Sequence, residues 1–117
     1  MAIKLNKQFS DIVERGNNAN GYYVKYSDGT LECHKTLGGN PKALYSWGTL
    51  YYADIDTGEW PVPFTELHNV QTSSNYNQYW IINHNATTTS SGNARIIRPD
   101  SHITYYSIQI SAIGKWK

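Results

Sequence analysis

Charged residues are scarce in this sequence of 117 residues, since Asp, Glu, Lys and Arg together make up only 16% of it. The net charge is +1, and the ten Lys and Arg residues are scattered along the chain. Proteins that bind nucleic acid need clustered positive charge, which displaces counterions from the phosphates. The sequence therefore predicts no nucleic-acid partner.

Long apolar runs are also missing. No stretch of 18 apolar residues is present, so the sequence predicts no membrane insertion. The first residues, MAIKLNKQFS, lack the apolar stretch of a secretory signal peptide. We therefore expect a protein that stays in the cytosol or leaves the cell by a route that needs no signal peptide, such as lysis.

Residues that bind metals or act as nucleophiles form no recognisable motif. Cys33 is the single cysteine, so neither an internal disulfide nor a CxxC zinc site can form. The four histidines, at positions 34, 68, 84 and 102, match neither HxH nor HExxH. Nothing resembles a nucleophile elbow or a Gly-rich phosphate loop. We expect no cofactor and no metal within one chain, and the sequence leaves open an ion shared between copies on a symmetry axis.

One group of carboxylates raises the possibility of catalysis. Asp54 and Asp56 are two residues apart on a predicted strand, and Glu59 follows in the next turn. Glycosidases use two carboxylates that flank the bond to be cleaved, so a glycan hydrolase using Asp54 or Asp56 with Glu59 is one hypothesis. A polar strand that runs into a turn explains the same residues, and the sequence favours it. We therefore predict that the protein is not an enzyme.

Aromatic residues, in contrast, make up 14% of the chain, mostly as ten Tyr and four Trp. Short alternating segments separated by turn residues are typical of antiparallel sandwiches. The predicted strands beyond the first hairpin cover residues 46–56, 67–74, 77–85, 93–98 and 103–117. The sequence therefore predicts an all-β fold, a small antiparallel β-sandwich of about six to seven strands.

A β-hairpin is predicted around Asp28-Gly29, a dipeptide typical of two-residue type I′ turns. In that register the facing pairs are Lys25 with Glu32, Val24 with Cys33, and Tyr23 with His34. The core face then comprises Tyr22, Val24, Tyr26, Leu31 and Cys33. The opposite face comprises Tyr23, Lys25, Glu32 and His34. Cys33 is accordingly expected to be a buried, unreactive thiol.

The N-terminal segment has a different periodicity. Its apolar residues recur at helical spacing, as Leu5, Phe9, Ile12 and Val13. Gly16 follows as a candidate C-cap, and residues 16–21 read as a linker. The sequence therefore predicts two parts: a short N-terminal helix or extended arm over residues 1–16, and the sandwich over residues 17–117.

Aromatic and amide side chains occur together in the loops of the second half of the chain. Aromatic rings stack on sugar rings, and amides form hydrogen bonds with hydroxyl groups. The predicted ligand-binding residues are Trp60, Asn75, Tyr76, Gln78 and Tyr79, with Asp56 and Glu59 as polar partners. The alternative is that about half of these aromatics belong to the core. Tyr79 and Trp80 are neighbours on one strand and must point to opposite faces, so one of them is expected inside.

Four segments of the chain occur in an order typical of a known family. They are NGYYVKYSDGTLECHKT, WGTLYYADIDTGEWPVPFTELHNVQ, NHNATTTSSGNARIIRPDS and the ending ISAIGKWK. Together they cover about residues 16–117 and resemble the C-terminal domains of bacteriophage tail fibres and other phage tail proteins. The sequence departs from that pattern at His68, where the family would have a proline.

The resemblance implies a sandwich related to the H-type lectin fold, which forms a homotrimer at the distal end of a fibre in the virion tail. It implies attachment to saccharides of the host surface without catalysis. Residues 1–16 would then contact neighbouring subunits. The implied oligomer contacts are Leu5, Phe9, Ile12, Tyr23 and His34. The alternative function is a structural trimerisation or capping module that binds no ligand.

Overall fold

Nine strands are present in the computed structural model, which describes residues 11–40, 44–74, 79–101 and 105–117. The strands are β1 (Ile12–Asn18), β2 (Gly21–Tyr26), β3 (Thr30–Gly39), β4 (Tyr45–Trp47), β5 (Leu50–Asp56), β6 (Glu66–Ser73), β7 (Trp80–His84), β8 (Asn93–Arg98) and β9 (Tyr106–Lys115). They form an antiparallel five-stranded sheet, β1-β2-β3-β9-β6, and an antiparallel four-stranded sheet, β4-β5-β8-β7. The all-β sandwich is therefore confirmed. No helix long and apolar enough to cross a membrane occurs in the described residues.

The core lies between the two sheets because alternate residues of each strand point to opposite faces. On β9, Ile108, Ile110 and Ala112 are buried, as the alternation of that segment predicts. On β8, Ala94 and Ile96 come from the facing sheet and are fully buried. The connections between strands complete the core with Trp60, Phe64 and Tyr79.

The hairpin of β2 and β3 forms where the sequence predicts it, but with a register that differs by one residue. Tyr23 lies opposite Cys33 rather than opposite His34. The turn explains the difference, because the Gly29 N–H donates to the Tyr26 carbonyl (3.0 Å) and Gly29 has a φ of +97°. A β-turn followed by a glycine of positive φ is a three-residue loop with a bulge, which replaces the two-residue type I′ turn.

This shift turns Tyr23 and Lys25 to the side of Leu31 and Cys33, although Val24 is still buried, as predicted, with 5% exposure. Tyr23 packs against the core, whereas Tyr22 is 40% exposed. Lys25 faces away from Glu32, with its Nζ 3.4 Å from Glu14 Oε1 and 5.1 Å from the centre of the Trp116 ring. The predicted pairing of Lys25 with Glu32 is therefore wrong. The predicted burial of Leu31 and Cys33 on β3 is confirmed.

The segment before this hairpin is extended from Ile12 onward. Residues 12–18 form β1, an edge strand that pairs with β2, so the helical interpretation is wrong for residues 12–16. Gly16 lies opposite Tyr23, where an added Cβ would come within 3.1 Å of the tyrosine hydroxyl. β1 also crosses the predicted boundary between residues 16 and 17. Leu5 and Phe9 lie outside the described residues.

Cys33 is expected to resist thiol reagents in the folded protein. Its side chain is fully buried, its Sγ lies 3.8 Å from the Val62 carbonyl, and burial raises the pKa of the thiol to about 11. Because the thiolate is the reactive form, iodoacetamide at pH 8 should label Cys33 only after denaturation in urea. A Ser27→Cys variant, whose added thiol lies in the exposed turn, should label quickly without denaturant. Rapid labelling of native wild-type protein would contradict the burial of Cys33.

Candidate functional site

Two of the predicted ligand-binding aromatics are core residues. Trp60 is 3% exposed, its ring meets Phe64 edge-on with centroids 5.5 Å apart, and its Nε1 donates to the Thr87 carbonyl (2.9 Å). Tyr79 is 8% exposed, and its hydroxyl lies 2.6 Å from Ser74 Oγ. Neither ring is accessible to a ligand, so the stacking role predicted for both is corrected to a role in packing.

The remaining predicted residues divide into two sets. Asn75, Tyr76 and Gln78 lie outside the described residues. Asp56 and Glu59 are exposed near the end of β5. Trp80 is 63% exposed while its neighbour Tyr79 is buried, which confirms that the two point to opposite faces.

The carboxylate at position 54 has the environment of a structural ion pair. Arg95 donates from Nε to Asp54 Oδ1 (2.7 Å) and from Nη2 to Asp54 Oδ2 (2.9 Å). These hydrogen bonds hold the pKa of Asp54 below its ordinary value. A catalytic acid of a glycosidase needs the opposite shift, which keeps its proton at neutral pH. Asp54 therefore lacks the raised pKa that a catalytic acid of a glycan hydrolase would need. Within the described ranges, no three His, Cys, Asp or Glu side chains are grouped to hold a metal ion.

The candidate site is a polar cleft with a volume of about 490 Å³. Its walls are residues 18–21, which join β1 to β2, residues 35–37 of β3, and residues 56–58 at the end of β5. Cavities of this volume are typical of small-molecule sites. Of the residues predicted to bind ligand, Asp56 lines the cleft.

Hydrogen bonds hold the walls of the cleft in place. The side chain of Asn18 donates from Nδ2 to the Pro61 carbonyl (3.0 Å) and accepts at Oδ1 from the backbone N–H of Asn20 (2.8 Å). Asp56 Oδ1 accepts from the N–H of Gly58 (2.9 Å). A cleft whose walls are already ordered loses less conformational entropy when a ligand binds.

Gly21 shapes the wall formed by residues 18–21. It has a φ of +131°, and a Cβ at this position would come within 2.4 Å of the His34 carbonyl. Both the backbone conformation and the close approach to β3 therefore require glycine. The turn thus fixes where Asn20 stands relative to β3.

Lys35 lies behind the cleft and is 8% exposed. Its ammonium donates to the carbonyls of Thr57 and Glu59 (2.7 Å for the latter) and to Ser91 Oγ (3.0 Å). Burial lowers the pKa of Lys35. Because an ammonium has three donors and all three are used inside the protein, Lys35 fixes residues 57–59 against β3. Lys35 is not among the residues predicted from the sequence, where its one signal is its place two residues after Cys33 on the core face.

Three polar groups of the cleft stay available. The side-chain amide of Asn20, the hydroxyl of Thr36 and Oδ2 of Asp56 form no hydrogen bond with other described residues, and Asp56 and Thr36 are exposed. An amide, a hydroxyl and a carboxylate oxygen can together donate and accept hydrogen bonds. The cleft therefore suits a small ligand rich in hydroxyl groups.

Comparison with known proteins supports a relationship in fold. The sequence matches no protein-family model and no curated protein. Similar solved structures include an N-truncated R2-type pyocin tail fibre, with 14% identity and a TM-score of 0.52, which matches 98% of this chain over 43% of that one. An N-truncated R1-type pyocin tail fibre, with 13% identity and a TM-score of 0.54, matches 97% of this chain over 96% of that one.

The C-terminal part of the P. aeruginosa R1 pyocin fibre is a third similar structure, with 13% identity, a TM-score of 0.53 and a match of 97% of this chain over 31% of that one. This chain thus spans less than half of two of these fibres and nearly all of the other. At this level of identity the likeness concerns the fold. This all-β chain therefore has the fold of a domain found in pyocin tail fibres, which are phage-tail-like, and the likeness to tail fibres inferred from its sequence is confirmed at the level of fold.

Proposed function

We propose that this chain is the receptor-binding domain of a phage-type tail fibre, and that it attaches the tail to a saccharide of the bacterial surface without catalysis. The tail-fibre fold supports the first part of the proposal. The observation that carries the second part is the rigid polar cleft, with its free amide, hydroxyl and carboxylate oxygen. This function implies a place in the virion tail.

The charges of the cleft favour an uncharged ligand. Asp56 contributes a carboxylate to the lining of the cleft. The ammonium of Lys35 donates all its hydrogen bonds to protein groups. Among the described residues that line the cleft, the ammonium of Lys35 has no donor left for a phosphate or sulfate, so such a ligand would meet the Asp56 carboxylate without a hydrogen bond from a cation. Sugar hydroxyls can instead donate to Asp56 Oδ2 and form hydrogen bonds with Asn20 and Thr36.

Replacement of Asp56 by asparagine should weaken attachment to bacteria about tenfold. The substitution keeps an oxygen for the Gly58 N–H, but it removes a charged acceptor whose hydrogen bond to a ligand contributes about 1.5–3 kcal/mol. The measurement is binding of the labelled full chain to a panel of bacterial cells and to saccharides extracted from them. Glu66→Gln, which changes an exposed carboxylate on β6, is the matched control and should bind as the wild type does.

Two outcomes would contradict the proposal. Wild-type binding by Asp56→Asn would mean that the cleft is not the site. Wild-type protein that binds none of the cells or extracts would contradict attachment to saccharides altogether.

We further propose that three copies of the chain assemble. β1 is an edge strand, and it exposes Ile12 (44%) and Val13 (52%). Exposed apolar side chains beside an open strand edge support contact between chains. His34, whose side chain is 41% exposed, remains a predicted contact. The oligomer contact predicted at Tyr23 is corrected to a role within the chain, because its ring packs on the core and its hydroxyl donates to Glu14 of the same chain.

Light scattering should give three times the mass of the chain, and Val13→Glu should lower that mass. A charge in the apolar contact would be buried without a partner, whereas Thr36→Glu places the same charge at the other end of the hairpin from Ile12 and Val13 and should leave the mass unchanged. A monomeric wild-type protein would contradict the trimer. A stable trimer that binds no bacterial surface would favour the alternative function, a structural trimerisation module.

A further inference from the structure

The outer face of the four-stranded sheet carries a row of apolar side chains. The register aligns Tyr45 of β4 with Tyr52 of β5, Tyr52 with Ile97 of β8, and Ile97 with Trp80 of β7. We name these four residues the aromatic row. Because adjacent strands lie about 4.8 Å apart, the row spans about 14 Å across the strands.

The two ends of the aromatic row are its most exposed parts. Tyr45 is 62% exposed on edge strand β4, and Trp80 is 63% exposed on edge strand β7. At the first end the rings are held by their neighbours, since the centroid of Tyr52 lies 5.8 Å from that of Tyr45 and 5.7 Å from that of Trp47. An elongated ligand could therefore rest on aromatic rings at both ends.

A polar row lies directly beside the aromatic row. Two charged residues, Asp54 of β5 and Arg95 of β8, form it, and the apolar Ile82 of β7 continues it at 46% exposure. The guanidinium carbon of Arg95 lies 4.2 Å from the centre of the Tyr52 ring, and Asp54 accepts two of its hydrogen bonds. The pair is neutral as a unit, and Nη1 of Arg95 forms no hydrogen bond with another described residue.

We propose that the aromatic row binds an extended, uncharged oligosaccharide that lies across the strands. The apolar faces of successive sugar rings would stack on the aromatic side chains, and hydroxyl groups along one edge would reach Arg95 and Asp54. The cleft near Asp56 would hold a single sugar or a chain end, whereas the aromatic row would hold a longer stretch. This inference rests on the proposed function, since both assign a saccharide as the ligand.

The distribution of charge and apolar surface favours a saccharide over a second copy of this chain. The centres of protein interfaces are broad, apolar and depleted of charge. Here the Arg95–Asp54 ion pair interrupts the exposed apolar side chains of the face, which include Trp47 and Ile82 beside the row, and the most exposed rings stand at the two ends of the row. A sugar chain likewise combines apolar ring faces with polar edges, which match the apolar row and the ion pair beside it. The neutral Arg95–Asp54 pair complements a ligand without charge.

The test compares Trp80→Ala and Tyr45→Ala with the wild type on intact cells and on long and short fragments of their surface saccharide. Each variant should weaken binding to cells and long fragments about tenfold, and should bind the short terminal fragments as the wild type does. Tyr22→Ala, which removes an exposed ring from the other sheet, should bind normally. Thermal melts confirm that each variant is folded.

The outcomes separate this inference from the proposed function. If Trp80→Ala and Tyr45→Ala both bind as the wild type does, the proposal that the aromatic row binds saccharide is wrong. The proposal that the cleft binds saccharide is tested separately by Asp56→Asn and would be unaffected. A lower native mass in these variants would identify the face as a contact between copies and would also overturn the proposal for the aromatic row. Wild-type protein that binds no cells would overturn both proposals.

Discussion

Trp60→Ala should lower the free energy of unfolding by about 3–5 kcal/mol. Trp60 is 3% exposed and packs edge-on against Phe64, so truncation leaves a large cavity between the sheets. It also leaves the Thr87 carbonyl without the donor that Nε1 supplies. Because domains are stable by only about 5–15 kcal/mol, this loss should move the urea midpoint far below that of the wild type.

Trp80→Ala is the matched control for this experiment. It removes the same side chain from a position that is 63% exposed, so the free energy of unfolding should change by no more than about 0.5 kcal/mol. The loss in the free energy of unfolding for Trp60→Phe should fall between those of the two alanine variants. Phenylalanine refills part of the cavity but does not restore the hydrogen bond to Thr87. Equal losses for Trp60→Ala and Trp80→Ala would contradict the core position of Trp60.

The strands with the clearest alternation could be predicted from the sequence. Residues 93–98 form β8 as predicted, and the alternation within 103–117 correctly identifies the buried residues of β9. Both segments carry apolar residues at a period of two with a polar residue between them, as Ala94 and Ile96 around Arg95 and as Ile108 and Ile110 around Gln109. Only a strand with one buried face explains that pattern, so the local signal and the tertiary structure agree.

The hairpin register could not be predicted, because its local signal fits two turns. Asp28-Gly29 can be the centre of a type I′ turn, or Gly29 can be the bulge residue of a three-residue loop. The side-chain pattern favours the wrong register, because Tyr22, Val24 and Tyr26 share one face of β2 while Tyr23 shares the other with Lys25. The choice depends on contacts far along the chain, such as the Trp116 N–H donating to the Gly29 carbonyl.

The candidate site was only partly predictable for a related reason. The cleft is built from three separate segments, 18–21, 35–37 and 56–58, which only the fold brings together. Asp56 was predicted as a polar partner of the loop aromatics. Trp60 was predicted because it stands among loop residues, yet the connection that contains it folds over the core, where its backbone N–H donates to the Thr89 carbonyl.

Lys35→Ala should lower the free energy of unfolding by about 2–5 kcal/mol. The buried carbonyl of Thr57 and the partly buried carbonyl of Glu59 would each lose the donor that the ammonium supplies, at about 1–3 kcal/mol for each group. Ser91 is less affected, because its hydroxyl also donates to the Gly58 carbonyl (2.8 Å). Since residues 57–58 form one wall of the cleft, the variant should also bind saccharide more weakly under conditions where it is folded.

Lys35→Met separates the charge of this side chain from its packing, because methionine has a similar length and no charge. Its loss of stability should be smaller than that of Lys35→Ala, since the stem is replaced and no ammonium has to be desolvated. A loss equal to that of Lys35→Ala would mean that the hydrogen bonds to the two carbonyls, rather than packing, account for the whole effect.

The pH dependence of stability gives a second comparison between the wild type and Lys35→Met. Burial lowers the pKa of Lys35 in the folded state from its ordinary value of 10.5. Between the folded and unfolded pKa values the unfolded chain binds more protons, so the contribution of Lys35 to stability rises with pH up to about 10.5 and falls again on acidification. The buried thiol of Cys33 acts in the opposite sense, but it is present in both proteins and cancels in their difference. Urea titrations should therefore show the advantage of the wild type over Lys35→Met growing as pH rises toward 10.5. An advantage that shrinks over this range would mean that the fold favours the charged ammonium, which contradicts the lowering of the Lys35 pKa by burial.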